Sequence, residues 1–235
     1  MNWQERYIQR FYRGRPGWID GTMEFHRMCS PYLSAKTRAL EVGAGPENPT
    51  SEFLSRSAGT VVGLDVDPSV RNNRFLKEAY VYDGKTFPFP DRSFDVAVTD
   101  YAFEHVEDPR ALCREVHRVL VPGGAFLFRT PNTFHYVSLF SRLFPDSISP
   151  WLRNRSSDHP VYPKYFRFNS KTTCRQVLFE TGFSVTTLKL IEKEPSYGMR
   201  SPLLFLPMMV YERIVNSSAL FQSLRANILC AAKKP

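Results

Sequence analysis

Cysteine is scarce in this chain. Cys29, Cys113, Cys174 and Cys230 are scattered without C-x-x-C spacing, so neither a zinc site nor a disulfide framework is predicted, and a reducing cytoplasm is the expected compartment. Long apolar runs are missing too. The longest, Leu203 to Tyr211, is broken by Pro207 and falls short of the ~20 residues a bilayer requires. The opening MNWQERYIQRFYRGRPG is charged from the start and has no apolar centre, which argues against a secretory leader. No basic run exists despite a net charge of +8 and a pI near 9.4. The cations are spread instead over Arg6, Arg10, Arg13 and Arg15, and over 142–175, where Arg142, Arg153, Arg155, Lys164, Arg167, Lys171 and Arg175 fall. Three readings stay open: solvated surface, attraction to an anionic substrate or lipid surface, and nucleic acid. No RNA-binding module accompanies the charge, so no specific nucleic-acid partner is expected.

What the chain has is apolar and aromatic content, enough over 235 residues for one full core and hence a single α/β domain. Its organising stretch is Arg38 to Asp67. An apolar run, Ala39–Val42, meets two glycines, Gly43 and Gly45; a helical segment, Thr50–Ser57, follows; a second apolar run, Val61–Leu64, ends at Asp65. That is strand, tight turn, helix, strand with an acid at its tip. Buried parallel strands read as continuous apolar runs, and a glycine turn lets the backbone approach a ligand at the next helix's N-terminus. An acid about 20 residues on can take both hydroxyls of a ribose. A nucleoside pocket is predicted.

The glycine pattern narrows the nucleoside. A dinucleotide fingerprint needs G-x-G-x-x-G, but Asn48 stands at the sixth position, and Glu47 beside a diphosphate would be repulsive. A nicotinamide oxidoreductase is therefore disfavoured. A ligand without phosphates and with a cationic or zwitterionic end suits the loop better.

E-V-G-A-G followed by G-L-D resembles motif I and the post-I acid of class I S-adenosylmethionine-dependent methyltransferases. The likeness continues in YDGKTFPFPDRSFDVAVTDYAFEHVEDPRALCREVHRVLVPGGAFLFRT, Tyr82 to Thr130, which resembles the small-molecule members of that family segment by segment. It covers 38–131 well and the two ends poorly. The resemblance implies a Rossmann-like sheet of seven mostly parallel strands, order 3-2-1-4-5-7-6, the last antiparallel, with helices on both faces, an N-terminal helical cap over 1–37 and inserted lid segments. S-adenosyl-L-methionine is the implied cofactor and S-adenosyl-L-homocysteine the product, with no metal.

By the same resemblance Glu41 accepts hydrogen bonds around the methionine amino group, Gly43, Ala44 and Gly45 lie against the cofactor, and Asp65 takes the ribose. Val66, Asp83 and Gly84 fall near the adenine. Asp67, before Pro68 and Ser69, reads equally well as a helix cap. Strand four, Phe94–Thr99, ends in Asp100 and Tyr101 at the carboxyl edge, where open α/β sheets bind ligands. Relatives that methylate amino groups of nucleic acids carry an N-P-P-Y-like motif there. T-D-Y-A argues against base methylation.

His105 reads either as a general base, histidine being the side chain with an unperturbed pKa of about 6.5, or as a loop-fixing side chain. Asp108 and Pro109 start a helix with Leu112, Val116, Val119 and Leu120 on one face. Strand five, Ala125–Thr130, leads into a long aromatic connection over 132–168, where the family inserts acceptor-binding elements. Candidates there are His135 and His159 as bases, with Tyr136, Asp158, Tyr162, Tyr165 and Arg167 as acceptor contacts; a purely structural lid is the alternative. From 169 to 235 a helix, Thr172–Thr181, is ended by Gly182, and strands Phe183–Ile191 and Ala226–Ala232 complete the sheet. Between them an apolar helical insertion near 199–218 has three open roles: closing the acceptor site, forming a homodimer face, or resting weakly on a membrane surface. The N-terminal stripe Trp3, Tyr7, Phe11 reads as packing or as ligand contact.

The expected activity is methylation of a small-molecule acceptor, foremost O-methylation of a hydroxyl on a sugar, polyketide or quinone-like ring. The alternatives are N- or C-methylation and a catalytically silent cofactor-binding partner.

Overall fold

The computed structural model describes residues 2–143 and 162–235. Asp158 and His159 lie outside the described residues. Seven strands, β1 (Arg38–Val42), β2 (Thr60–Asp65), β3 (Glu78–Val81), β4 (Phe94–Asp100), β5 (Leu120–Pro131), β6 (Ser184–Ile191) and β7 (Asn227–Lys233), form one sheet. The order is β3-β2-β1-β4-β5-β7-β6. The first five pair in parallel, while β7 runs antiparallel to both β5 and β6. The carboxyl ends of β1, β2 and β4 therefore open on one edge.

Strand alternation divides the core in two. On β5, Phe126 and Phe128 face one way with Leu112, Val116 and Val119 of α4 (Pro109–Val119) and, beyond the short α5 (Tyr136–Leu143) in sequence, Val177 and Leu178 of α6 (Lys171–Glu180). Ala125 and Leu127 face the other way, with Phe25 of α2 (Gly21–Cys29) and Leu54 of α3 (Pro49–Ser57). Side chains of period two on β5 and β7 force a helical layer on each face, because neither face can be left to water. The four cysteines are all free and buried.

Helix starts follow their caps. Asn48, Asp108 and Ser170 each accept backbone N–H bonds from the first turn, and Pro49 and Pro109 occupy the position where a missing N–H costs nothing. Asp67, the ambiguous acid, caps the 3-10 turn Pro68–Asn72 through Ser69 N–H. The N-terminal segment forms α1 (Trp3–Ile8) continued by a π turn, Gln9–Arg13. Its Trp3, Tyr7 and Phe11 rings pack on Phe205 of α7 (Pro202–Ser217), with Tyr7 closest at 5.2 Å between centroids. The stripe is packing against the late insertion.

Candidate functional site

Two left-handed glycines shape the loop after β1. Gly43 (φ +75°) donates its N–H to Leu64 O at 2.8 Å, and a Cβ there would meet the Ala102 Cβ at 2.6 Å. Only glycine fits such a conformation at so close an approach. Gly45 (φ +52°) donates its N–H to Asp65 Oδ2 at 2.7 Å, while Asp65 Oδ1 accepts Asp67 N–H at 2.8 Å. A Cβ on Gly45 would find nothing nearer than that same Oδ2, at 4.0 Å, so the space beside this backbone is open.

Asn48, standing where a third glycine was wanting, has work of its own. Its Oδ1 caps α3 through Thr50 and Ser51 N–H, and its Nδ2 donates to Ala44 O at 2.7 Å and Glu41 Oε1 at 3.3 Å. Ser51 Oγ donates to the other Glu41 oxygen at 2.7 Å. Asn73 closes the loop from outside, donating to Ser51 Oγ at 2.9 Å and Pro46 O at 3.2 Å. Burial pushes the Glu41 carboxyl up to about 7, against the pull of the Ser51 and Asn48 hydrogen bonds. The second acid of the loop, Glu47, is engaged by Arg74 at 3.3 Å.

Beyond β2 and β3, Val66 is exposed, and a Cβ on Gly84 (φ +79°) would sit 3.5 Å from its Cγ1. These two thus share one wall. Asp83 is exposed and its Oδ1 accepts the N–H groups of Lys85 and Thr86, which hold its carboxyl below the usual range. Tyr162 reaches this edge as well, its hydroxyl donating to Asp67 Oδ2 at 2.5 Å. His105 Nδ1 lies 2.8 Å from Pro163 O with its ring edge-on to Tyr162 at 5.9 Å. Tyr165 N–H donates to Glu104 O, and Arg167 covers the Tyr165 ring at 5.3 Å while donating to Glu107 O.

The expected acceptor cluster is thereby divided. Tyr165, Arg167 and His105 pin the returning chain to the β4–α4 connection, and Tyr162 ties it to Asp67 beyond β2. His135 and Tyr136 lie elsewhere, in a cavity of about 330 Å³ beyond the carboxyl ends of β4 and β5.

That cavity is also lined by Tyr101, Arg129, Glu192 and Glu194. Asp100 is paired with Arg129 beside it, and Thr50 Oγ1 donates to Asp100 Oδ2 at 2.7 Å. Tyr101 (φ +55°) carries the Arg129 guanidinium 4.5 Å from its ring centroid and donates its hydroxyl to Asn227 Oδ1 at 2.9 Å. His135 is buried with Nε2 3.5 Å from Glu192 Oε2, and its ring packs on Tyr136 at 4.2 Å and on Tyr211 of α7 at 5.6 Å. Glu194 Oε2 has no hydrogen-bond partner among the described residues, and burial pushes that carboxyl up to about 7.

A chamber holding a buried histidine and a protonatable carboxylate can bind a small acceptor and take a proton from it. Sequence reading missed Arg129, Glu192, Glu194 and Asn73. It also missed His26, which stacks on Phe53 at 4.2 Å and meets Thr50 Oγ1 at 3.1 Å. No spacing signal marks these residues, because the sheet brings them together from distant segments.

Residues 40–128 match the family described as a methyltransferase domain. The chain is 28% identical over 142 residues to a demethylmenaquinone methyltransferase of Tropheryma whipplei (strain Twist), covering 57% of this chain and 58% of that protein. It is 36% identical over 150 residues to a probable S-adenosylmethionine-dependent methyltransferase of Mycolicibacterium smegmatis, covering 62% and 51%. The chain therefore spans less than two thirds of these relatives' length. Among solved structures, a putative methyltransferase of Haloferax volcanii, in complex with the Trm112 methyltransferase activator, superposes with a TM-score of 0.59 at 19% identity over 99% of this chain and 93% of that one.

Proposed function

We propose that the chain is a class I S-adenosylmethionine-dependent methyltransferase and that it methylates a small-molecule acceptor held in the cavity beside Tyr101, foremost at a hydroxyl. One observation carries the cofactor half: two left-handed glycines bring the loop backbone onto Asp65 at the shared edge of β1 and β2, with open space beside Gly45. That cradle fits an adenosyl group. Arg74, the cation paired at the loop, is taken by Glu47.

In this reading Asp65 accepts the ribose hydroxyls, Val66 and Gly84 flank the adenine with Asp83 at its rim, and Gly43, Ala44 and Gly45 supply the backbone floor. Glu41, steered by Ser51 and Asn48, faces the amino-acid end, and Asp100 and Tyr101 separate that end from the acceptor. When bound, S-adenosylmethionine supplies a methyl group on a positively charged sulfur and leaves as S-adenosylhomocysteine. Because the leaving group is already activated, the proposal calls on no metal.

The chain's own task is alignment, where held reactants gain on the order of 7 to 11 kcal/mol over free ones. For a hydroxyl acceptor Glu194 and His135 are the proton-accepting groups, His135 being backed by Glu192. A positioned base contributes about 10²- to 10⁴-fold. His105 donates its Nδ1–H to the Pro163 carbonyl, and in this reading its part is to fix that loop. A relative named for demethylmenaquinone supports a quinone-like ring over a sugar or polyketide.

Calorimetry with S-adenosylhomocysteine tests the cleft, and labelled methyl transfer into fractionated extract tests the activity. Saturable binding with no incorporation into any fraction would leave a silent binding module and overturn the catalytic half.

A further inference from the structure

Across the sheet β1 lies between β2 and β4, and the left-handed glycines Gly43 and Gly45 stand at its tip. That loop touches both neighbours. Gly45 N–H is bonded to Asp65 on the β2 side, and the closest atom to a Cβ on Gly43 would be that of Ala102 on the β4 side. The segment 162–167 is anchored on the same two flanks. Beyond β4, His105 Nδ1–H donates to Pro163 O, Tyr165 N–H to Glu104 O and Arg167 Nη1 to Glu107 O, each at 2.8 Å. Beyond β2, the Tyr162 hydroxyl donates to Asp67 Oδ2, two residues past Asp65. The flanks are two strand spacings apart, each about 4.8 Å, so a residue tied to both passes over the tip of β1.

We propose that Tyr162 is a cofactor-binding residue: its ring roofs the adenosyl pocket whose floor is the Gly43–Gly45 loop, and its hydroxyl bond to Asp67 is the clasp that holds the roof closed. The inference rests on the reading of that cleft as an adenosyl site and adds the group that covers it. Asp67 follows Val66, the proposed adenine wall, so the clasp holds the ring on the adenine side of the pocket. An aromatic ring suits that place, because every nucleobase offers a π-face to stack on. Desolvation, the bond to Asp67 and the charges of Asp67 and Asp65 all raise the Tyr162 phenol, so it stays a donor across the physiological range. Tyr162 thereby leaves the acceptor group in which the sequence placed it. The acceptor chamber opens beyond β4 and β5, and the cofactor departs by release of the bond to Asp67.

The test is calorimetry of the full chain with S-adenosylhomocysteine and with adenosine, joined to the dissociation rate of S-adenosylhomocysteine from the immobilised chain by surface plasmon resonance. Tyr162→Ala should weaken both ligands by the same factor, about 10-fold, because both carry the adenine, and the loss should appear in the dissociation rate. Tyr162→Phe keeps the ring and loses the clasp. It should release S-adenosylhomocysteine faster than the parent and slower than Tyr162→Ala. Thermal midpoints near that of the parent show that the variants are folded, and Tyr162→Phe carries the test alone if Tyr162→Ala does not fold. The roof is overturned if the folded variants bind and release both ligands as the parent does, or if S-adenosylhomocysteine weakens while adenosine does not. It is equally overturned if only the KM of the acceptor moves. A parent chain that binds neither ligand would instead sink the reading of the cleft itself, and the roof with it.

Discussion

Arg129 grips Asp100 through two hydrogen bonds of 2.7 Å, Nε to Oδ1 and Nη2 to Oδ2, with the side chains only 5% and 13% exposed. The acid at the tip of β4 is thus satisfied before any ligand arrives, and what it presents to the cleft is a neutralised wall rather than a free charge. Removing one partner strands the other without water. Arg129→Met is expected to cost roughly 3–5 kcal/mol, whereas Arg129→Met with Asp100→Asn should recover much of that loss. Urea unfolding midpoints of the two variants check this, and equal destabilisation would deny the coupling.

Asp65 joins the glycine loop to β2 and is the proposed ribose acceptor. Asp65→Ala removes charged hydrogen bonds worth about 1.5–3 kcal/mol, so S-adenosylhomocysteine should bind about 10- to 100-fold more weakly by calorimetry. Unchanged affinity would place the nucleoside elsewhere.

At Gly43 two penalties can be separated. Gly43→Ala introduces a Cβ 2.6 Å from that of Ala102 and forces alanine to φ +75°. The left-handed conformation alone costs roughly 1–2 kcal/mol, and the clash adds to it. Gly43→Ala with Ala102→Gly removes the clash and keeps the backbone strain. Its thermal midpoint should fall between those of the single Gly43→Ala variant and the parent chain.

These same residues mark how far sequence carries. The strands, the Gly43–Gly45 turn and the acid at Asp65 are legible because each is a local pattern: an apolar run, a conformation that needs glycine, a polar residue at a strand end. The resemblance over 38–131 then supplied the strand order that local patterns cannot. The cavity was not legible. Arg129 leaves β5, Glu192 and Glu194 follow β6, and Asn227 begins β7, so their meeting depends on how antiparallel β7 slots between β5 and β6. Aromatic residues over 132–168 read as one cluster in sequence, yet His135 and Tyr162 end at different edges because one lies beside Glu192, just past β6, and the other reaches Asp67.

Glu194 borders the cavity with its carboxyl pushed up to about 7. If it takes the acceptor's proton, methyl transfer to a hydroxyl should rise with pH through about 7 as that carboxyl ionises. Glu194→Gln should flatten the rise and lower the turnover by about 10²-fold or more, leaving cofactor affinity unchanged. A profile untouched by the substitution would move the role to His135.

Glu41 makes the pH dependence of stability and of binding run in opposite directions. Burial raises its folded-state pKa from 4.5 to about 7, so between those values the folded chain keeps a proton that the unfolded chain releases. Stability should therefore fall as pH rises through that window, by on the order of 3 kcal/mol from this group alone. Glu194 is raised in the same sense, so Glu41→Gln should shrink the slope rather than abolish it. The proposed cofactor brings an ammonium to Glu41, which favours the ionised carboxylate. Binding of S-adenosylhomocysteine below pH 7 should then release a proton and tighten as pH rises, and Glu41→Gln should lose both effects. Calorimetry in two buffers of different ionisation enthalpy reads that proton directly. Equal apparent enthalpies in the parent chain would mean that the amino group of the ligand lies away from Glu41.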